Sequence, residues 1–131
     1  MAIYPTSEQF EALLASTETG PLVMVNLLRF KPQADAPNQG MTGEAAYQLY
    51  AEKMIPFVVS KGGRLIWMGR MTSQVIGDGA EDFDTIALVE YPSRQVFVEV
   101  AMDPEVAEFG VHRAAGLEMQ WLLASTTETI R

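Results

Sequence analysis

The spacing of apolar residues along the chain predicts a series of short helices and strands. Thr6 or Ser7 can cap a helix that runs to about Ser16, because apolar residues recur there at three- and four-residue intervals. The segment Leu22 to Phe30 is rich in Val, Leu and Met, and this mixed run predicts a strand that is buried on both faces. The segment Lys31 to Gly40 has two prolines among polar residues and is a loop.

The main helix is predicted to begin after Thr42, which is a favourable N-terminal cap. Apolar residues follow it at intervals of three, four and seven, which is the pattern of one helix face. Pro56 lacks a backbone N–H and should kink or restart the helix, and Gly62 with Gly63 ends it. The apolar positions are Ala45, Ala46, Leu49, Tyr50, Met54, Phe57 and Val58.

Two strands are predicted after this helix. The segment Arg64 to Ile76 has the pattern of a long strand, with Gly69 as a bulge or bend. An acidic turn region follows from Gly77 to Asp84. The second strand is Thr85 to Tyr91, which Pro92 terminates.

The last third of the chain predicts two helices and a final strand. Ser93 can cap a helix, and a second helix begins at Asp103-Pro104-Glu105, where the proline suits the first turn. This second helix runs to Ala115-Gly116. The final strand is Leu117 to Thr126.

The order of these elements predicts an α+β fold. A helix followed by βα, ββ and αβ units is the split βαβ pattern of ferredoxin-like folds, here a βαββαβ core with an extra N-terminal helix. We therefore expect one domain over residues 1–131, with the helix extension in 1–20 and the core in 22–126. Two helices cover only one face of such a sheet, and the other face would expose a large apolar patch. A second copy of the chain should cover it, which predicts a homodimer.

Composition narrows the expected partners and location. The net charge is −8, with 17 acidic and 9 basic residues, which disfavours nucleic acid and anionic membranes as partners. Residues 1–10 contain no basic residue and no apolar core of a signal peptide, and the longest apolar stretch is too short for a membrane helix. The chain has no cysteine, so it gives no sign of an oxidising compartment. A cytoplasmic protein is the expectation.

Short segments at the junctions between predicted strands and helices form a recognisable series. In order they are Tyr47-Gln48-Leu49-Tyr50, Pro56, Gly62-Gly63-Arg64, Gly69, Gly77, Val89-Glu90-Tyr91-Pro92-Ser93, Asp103-Pro104-Glu105 and Arg113-Ala114-Ala115. Over about residues 22 to 125 this series resembles the bacterial family called domain of unknown function 1330, which belongs to the dimeric α/β barrel superfamily.

The resemblance implies two sheets packed face to face, with a cleft in each subunit between the sheet and the helices. It implies no particular reaction, because the superfamily includes cofactor-free oxygenases, isomerases, haem enzymes and proteins without known activity. The chain departs from the family at Ala101 and Val106, where members tend to carry aromatic residues. Its loop from Lys31 to Gly40 is also long, so a pocket bounded by these parts should differ.

His112 is the only histidine, and its unperturbed pKa lies near neutral pH. It follows Glu108 by four residues on the last predicted helix, a spacing that allows a local pair. Two interpretations remain open, a partly exposed paired histidine or a general acid and base that Glu108 orients.

Two further polar residues are expected near the cleft. Arg113 lies on the apolar stripe of its helix and could bind a substrate carboxylate or pair with Glu90. Asn26 lies within an apolar strand, where it could bond a neighbouring backbone group or orient a ligand. Glu90, near the end of a buried strand, presents the same two alternatives.

Aromatic and basic residues complete the candidates for substrate binding. Tyr50 belongs to an apolar helix face, which favours a core position, but its hydroxyl needs a partner if it is buried. Trp67 and Arg70 lie on opposite faces of a regular strand, whereas a bulge at Gly69 would bring them to the same face. Arg70 would then be a second anion-binding candidate.

The sequence offers few residues for a metal centre. With one histidine and no cysteine, a histidine-rich metal centre within one chain is excluded. The acidic turn lacks the spacing of a calcium-binding loop and is better interpreted as solvated. No bound metal or cofactor is therefore expected.

Two functions are compatible with these residues. The first is a small-molecule-binding protein that acts, without a tightly bound cofactor, on a small aromatic or carboxylated metabolite as an oxygenase or isomerase. His112 would move a proton, and Arg113 or Arg70 would hold an anionic group. Asn26 or Tyr50 would donate to a developing oxyanion. The alternative is a non-catalytic ligand-binding or structural dimer module, and an open cavity reaching His112 would favour the enzyme.

Overall fold

The computed structural model describes residues 2–130 and contains helices and a four-stranded antiparallel sheet in the predicted order. This confirms the α+β, ferredoxin-like fold with an extra N-terminal helix. The elements are α1 (Ser7–Ala15), β1 (Leu22–Phe30), α2 (Gly43–Ser60), β2 (Arg64–Arg70), β3 (Thr85–Tyr91), α3 (Arg94–Ala101), α4 (Pro104–Gly116) and β4 (Leu117–Ser125). Within residues 2–130, no helix combines the length and apolar character needed to cross a bilayer.

Each helix begins at a polar cap that the sequence predicts. The side-chain oxygens of Thr6, Thr42 and Ser93 each accept a hydrogen bond from the backbone N–H three residues later, at 3.0 to 3.1 Å. Asp103 accepts from the N–H of Glu105 at 2.8 Å, with Pro104 in the first turn of α4. These bonds satisfy N–H groups that have no partner within the helix, so the caps set where each helix starts.

The sheet has the strand order β2-β3-β1-β4, and alternate residues face the helices. On the helix-facing side, Leu22, Met24 and Leu28 of β1 are buried, as are the four alternate residues of β3 from Thr85 to Tyr91. The main core cluster joins this side to Met54, Val58 and Val100 of the helices. The helices α2, α3 and α4 therefore pack on one face of the sheet.

The opposite face, here called the outer face, is apolar and has no helix of the described chain on it. Strand register places Val25 between Leu88 and Leu123. Trp67 of β2 and Leu123 of β4 are each 51% exposed on this face. Its other apolar residues are Val23, Leu27, Ile86 and Trp121.

The structure corrects the predicted end of β2. The strand ends at Arg70, not at Ile76, and Val75 and Ile76 are 87% and 90% exposed. Arg70 pairs with Thr85, the first residue of β3, so residues 71–76 lie beyond the strand with which β2 pairs. An apolar run alone cannot reveal that its partner strand is short.

The irregularity in β2 also lies elsewhere than predicted. The register shifts between Leu65 and Trp67, which places the bulge at Ile66 and not at Gly69. The indole of Trp67 lies over Gly69, where a Cβ atom would be 2.3 Å from ring carbons. The lack of a side chain at Gly69 therefore allows the indole of Trp67 to pack closely against the strand. In addition, α2 continues through Pro56 without restarting, since a proline removes only one N–H bond.

Candidate functional site

A cavity of about 1430 Å³ lies between the helix-facing side of the sheet and the four helices. Pockets for small molecules usually have about 300–1,000 Å³, so this space can hold a ligand with room for water. Apolar side chains of β1, β3 and α2 make up much of its wall. Its polar lining includes Asn26, Tyr47, Tyr50, Tyr91, Arg94, Arg113 and Gln120.

A chain of hydrogen bonds holds Arg113 in the cavity. Arg113 Nη1 donates to Gln120 Oε1 at 2.6 Å, and Gln120 Nε2 donates to Asn26 Oδ1 at 2.8 Å. Asn26 Nδ2 in turn donates to the carbonyl oxygens of Met24 and Ala87 at 3.3 and 3.2 Å. Asn26 thus bonds to backbone groups of the sheet and orients the side-chain amide of Gln120. This series of hydrogen bonds fixes the Arg113 guanidinium relative to the sheet.

The charge of Arg113 has no acidic partner within residues 2–130. The predicted pair with Glu90 is not formed, because Glu90 lies on the outer face and accepts from Arg64 at 2.9 Å. The ring of Tyr4 covers the Arg113 guanidinium, with 5.0 Å between its carbon and the ring centroid. A half-buried cation held in this way favours an anionic ligand.

Three tyrosines bring phenol groups to the same cavity. Tyr47 and Tyr50 of α2 have ring centroids 5.3 Å apart, and Tyr91 lies at the end of β3. The three side chains are largely buried, but their hydroxyl oxygens keep some exposed surface and make no hydrogen bond within the described chain. Burial raises the pKa of all three, while the charge of Arg113 opposes this shift for Tyr47 and Tyr50. At neutral pH they are therefore neutral groups that can donate hydrogen bonds to a ligand.

His112 does not line this cavity. Its Nδ1 atom lies 2.9 Å from Oδ1 of Asn38, and not against Glu108 as the helical spacing predicts. Since an amide oxygen only accepts, Nδ1 carries the proton. Asn38 is 5% exposed and belongs to the loop between β1 and α2, so His112 fastens this loop to α4.

Replacing His112 by alanine is therefore expected to reduce stability and to leave binding in the cavity unchanged. Loss of the ring leaves the buried Oδ1 of Asn38 without its donor, which should lower the free energy of unfolding by about 1–3 kcal/mol. Urea unfolding measures this loss. The control is Glu108→Ala at an exposed position four residues away, which should change it by less than about 0.5 kcal/mol. Equal stability of the two variants would contradict the structural role.

The remaining predicted site residues lie away from the cavity. Trp67 and Glu90 are on the outer face of the sheet. Arg70 extends from the other face, at the end of β2, and donates to both carboxylate oxygens of Glu44 at 3.0 and 2.7 Å. Of the predicted residues, the structure brings together Asn26, Tyr50 and Arg113. In the part of the chain described, no group of three His, Cys, Asp or Glu side chains could hold a metal ion.

Sequence reasoning missed four polar residues of the cavity. Tyr47 lies on the same helix face as Tyr50, a pattern that favours a core position, and Tyr91 ends a strand that is mostly apolar. Gln120 could have been recognised from the sequence as a candidate, because it is a polar residue within the apolar strand β4. Arg94 follows a helix cap and gives no local indication that it faces a cavity.

Comparison with known proteins supports the predicted family. The family model described as domain of unknown function (DUF1330) matches residues 38–127. The chain is 34% identical to the RPA0582 protein of unknown function from Rhodopseudomonas palustris, with 98% of each chain covered and a TM-score of 0.89. No match to a curated protein was found.

More distant structures share the fold alone. SnoaB, a cofactor-independent oxygenase from Streptomyces nogalater, is 9% identical over 85% of this chain and 96% of its own, with a TM-score of 0.57. A dimeric protein of unknown function with a ferredoxin-like fold from Bacteroides fragilis is 12% identical over 82% and 97%, with a TM-score of 0.52. At these identities neither protein shows what this chain does.

Proposed function

Because the chain belongs to the DUF1330 family, whose description assigns no reaction, we propose a function from its cavity: it binds a small aromatic molecule that carries an anionic group. One observation carries this proposal. Arg113 is a cation fixed by Gln120 and Asn26 inside an otherwise largely apolar cavity, and no carboxylate of the described chain neutralises it.

The proposed ligand follows from the chemistry of the wall. A carboxylate can accept two parallel hydrogen bonds from a guanidinium, which favours this anion at Arg113. The aromatic rings of Tyr47, Tyr50 and Tyr91 suit a flat apolar body, and their hydroxyls supply donors for a second polar group. Such a ligand would cover the apolar wall and bond polar groups that have no partner among the residues the structure describes.

We also propose that the reaction, if the ligand is turned over, passes through an anionic state and needs no tightly bound cofactor. Preorganised donors and a cation stabilise negative charge that develops on a substrate. The cavity carboxylates Glu18 and Asp35 are exposed, and His112 lies elsewhere, so the wall is better equipped to stabilise an anion than to remove a proton. This favours a substrate that ionises readily, in an oxygenase or isomerase reaction. Binding without turnover would support the alternative, a non-catalytic binding module.

We propose further that the protein is a homodimer paired through the outer face. Trp67, Leu123 and their neighbours form an apolar surface that a monomer would leave in water. The similar structure from Bacteroides fragilis is described as dimeric. Closed two-fold pairing of identical sheets would cover the surface on both copies at once.

The binding proposal is tested with aromatic acids and their matched amides. Calorimetry would measure the affinity of 2-naphthoate and of 2-naphthamide, which differ in charge but hardly in shape. Wild type should bind the acid more tightly. Arg113→Met should weaken the affinity for the acid about 10- to 100-fold, which corresponds to the loss of a charged hydrogen bond. It should leave the affinity for the amide nearly unchanged.

Arg64→Met is the matched control, since it removes an arginine from the outer face, away from the cavity. It should not change either affinity. No saturable binding of the acid, or equal binding of acid and amide by wild type, would contradict the proposal.

A further inference from the structure

The helix α1 lies over the cavity but is weakly attached to the rest of the protein. None of its nine residues is buried. Phe10 and Leu13 on its inner side are half-buried and line the cavity, whereas Leu14 is 49% exposed. A helix of this length is not stable without packing, so its position depends on a few contacts with other elements.

The chain on either side of α1 is anchored more firmly. On one side, Ile3 packs against a core cluster that includes Leu28 and Leu117, and the carbonyl of Ala2 accepts from the N–H of Gln120 at 2.8 Å. On the other side, β1 begins with buried Leu22. Residues 5–20, here called the flap, are thus a loosely packed segment tethered at both ends.

The side chain of Arg94 links the end of α1 to the main body of the fold by hydrogen bonds. Arg94 Nη1 donates to the carbonyl oxygens of Leu13 and Leu14 at 3.2 and 3.4 Å, in the last turn of α1. Its positive charge suits this helix end, where carbonyl groups lack partners. Arg94 is also the first residue of α3, where a positive charge opposes the helix dipole. The contact with α1 therefore accounts for a positive charge at Arg94, whereas its position at the start of α3 does not.

The attachment through Arg94 is incomplete. Its Nε atom is buried and has no hydrogen-bond partner within the described chain. A buried donor without a partner is unfavourable, which weakens the attachment that Arg94 makes. Opening the flap breaks two long hydrogen bonds and uncovers the half-buried side chains of Phe10 and Leu13. Segments with so few contacts open far more often than the whole protein unfolds.

We propose that the flap is the entrance to the cavity and that Arg94 is the positioning residue that holds it closed. This inference rests on the proposed ligand site, because a flap matters only if a ligand passes it. Arg94 would control how quickly the ligand enters and leaves. It would have little effect on the contacts that Arg113 makes with the bound ligand.

Hydrogen exchange on the ligand-free protein provides the first test. The amides of α1 should exchange at least about tenfold faster than those of α2, because their opening does not require global unfolding. Arg94→Met should speed exchange in α1 by about tenfold more, the equivalent of losing its charged hydrogen bonds, and leave α2 unchanged. Arg64→Met, which removes an arginine from the outer face, is the control and should leave both helices unchanged. Slow exchange in α1, or exchange unaffected by Arg94→Met, would overturn the proposal.

Stopped-flow binding of 2-naphthoate provides the second test. Arg94→Met should raise the rate at which bound 2-naphthoate dissociates by about tenfold, because the flap would open more often. Unchanged rates, in a protein whose binding depends on Arg113, would overturn the flap and leave the proposed function intact. If wild type does not bind 2-naphthoate, the proposed function fails instead, and hydrogen exchange alone decides whether Arg94 holds the flap.

Discussion

Replacing Gly43 by alanine is expected to destabilise the protein by about 3 kcal/mol or more, because the added methyl group has no space. A Cβ atom at Gly43 would lie 2.2 Å from the carbonyl oxygen of Lys31 and 2.6 Å from that of Gly116. Both are backbone atoms and cannot rotate away. The contact joins the start of α2 to the end of α4, the helices that carry Tyr50 and Arg113, so the substitution should also disturb the cavity.

Gly110→Ala is the matched control for this substitution. Gly110 lies inside α4, and no atom lies within 4 Å of an added Cβ. Alanine should stabilise the helix there by about 0.4–1 kcal/mol, since it restricts the unfolded chain more than glycine does. Urea unfolding of both variants measures the difference. Similar stabilities would show that the close approach of α2 and α4 is not required.

Replacing Leu123 by aspartate is expected to separate the proposed dimer. Leu123 is 51% exposed on the outer face, so a monomer should tolerate the change. In a two-fold dimer the substitution occurs twice, and each copy loses about 1.5–3 kcal/mol of leucine burial and places a charge in an apolar interface. The dissociation constant of the dimer should therefore rise at least about 100-fold. Light scattering over a range of protein concentrations measures the change.

The control for Leu123→Asp is the same substitution at Val59, which is 56% exposed on α2. Val59→Asp should leave the mass unchanged at the dimer value. A wild-type protein that is monomeric at micromolar concentration, or a Leu123→Asp variant that remains a dimer, would contradict pairing through the outer face.

The start of each helix could be predicted because it depends on neighbouring residues. Thr6, Thr42, Ser93 and Asp103 cap the helices as the sequence indicates, and each bonds an N–H only two or three residues away. The end of β2 could not be predicted in this way. It depends on where β3 begins, 15 residues after Arg70 along the chain.

The candidate site was predicted in part for a related reason. Asn26, Tyr50 and Arg113 are polar groups in apolar patterns, and this local contrast indicates a shared polar environment. His112 directly follows Val111 on the helix that carries Arg113. The residue with which it shares a hydrogen bond, Asn38, is 74 residues away along the chain. No spacing along the chain indicates that pairing. Trp67 reaches the outer face because the bulge lies at Ile66, which sequence alone placed elsewhere.

By itself, the sequence determined the order of elements, the helix caps, the α+β class and the family, because these follow from local spacing and short motifs. Only the tertiary structure decided which polar residues share the cavity. It joined Gln120 to Asn26 across 94 residues of chain, bonded Arg113 to Gln120, and brought Tyr91 to Tyr47 and Tyr50. It also left Arg113 without an acidic partner among residues 2–130. The reason is physical: hydrogen bonds and burial depend on distance in space, and strand register and helix packing set those distances after the local elements have formed.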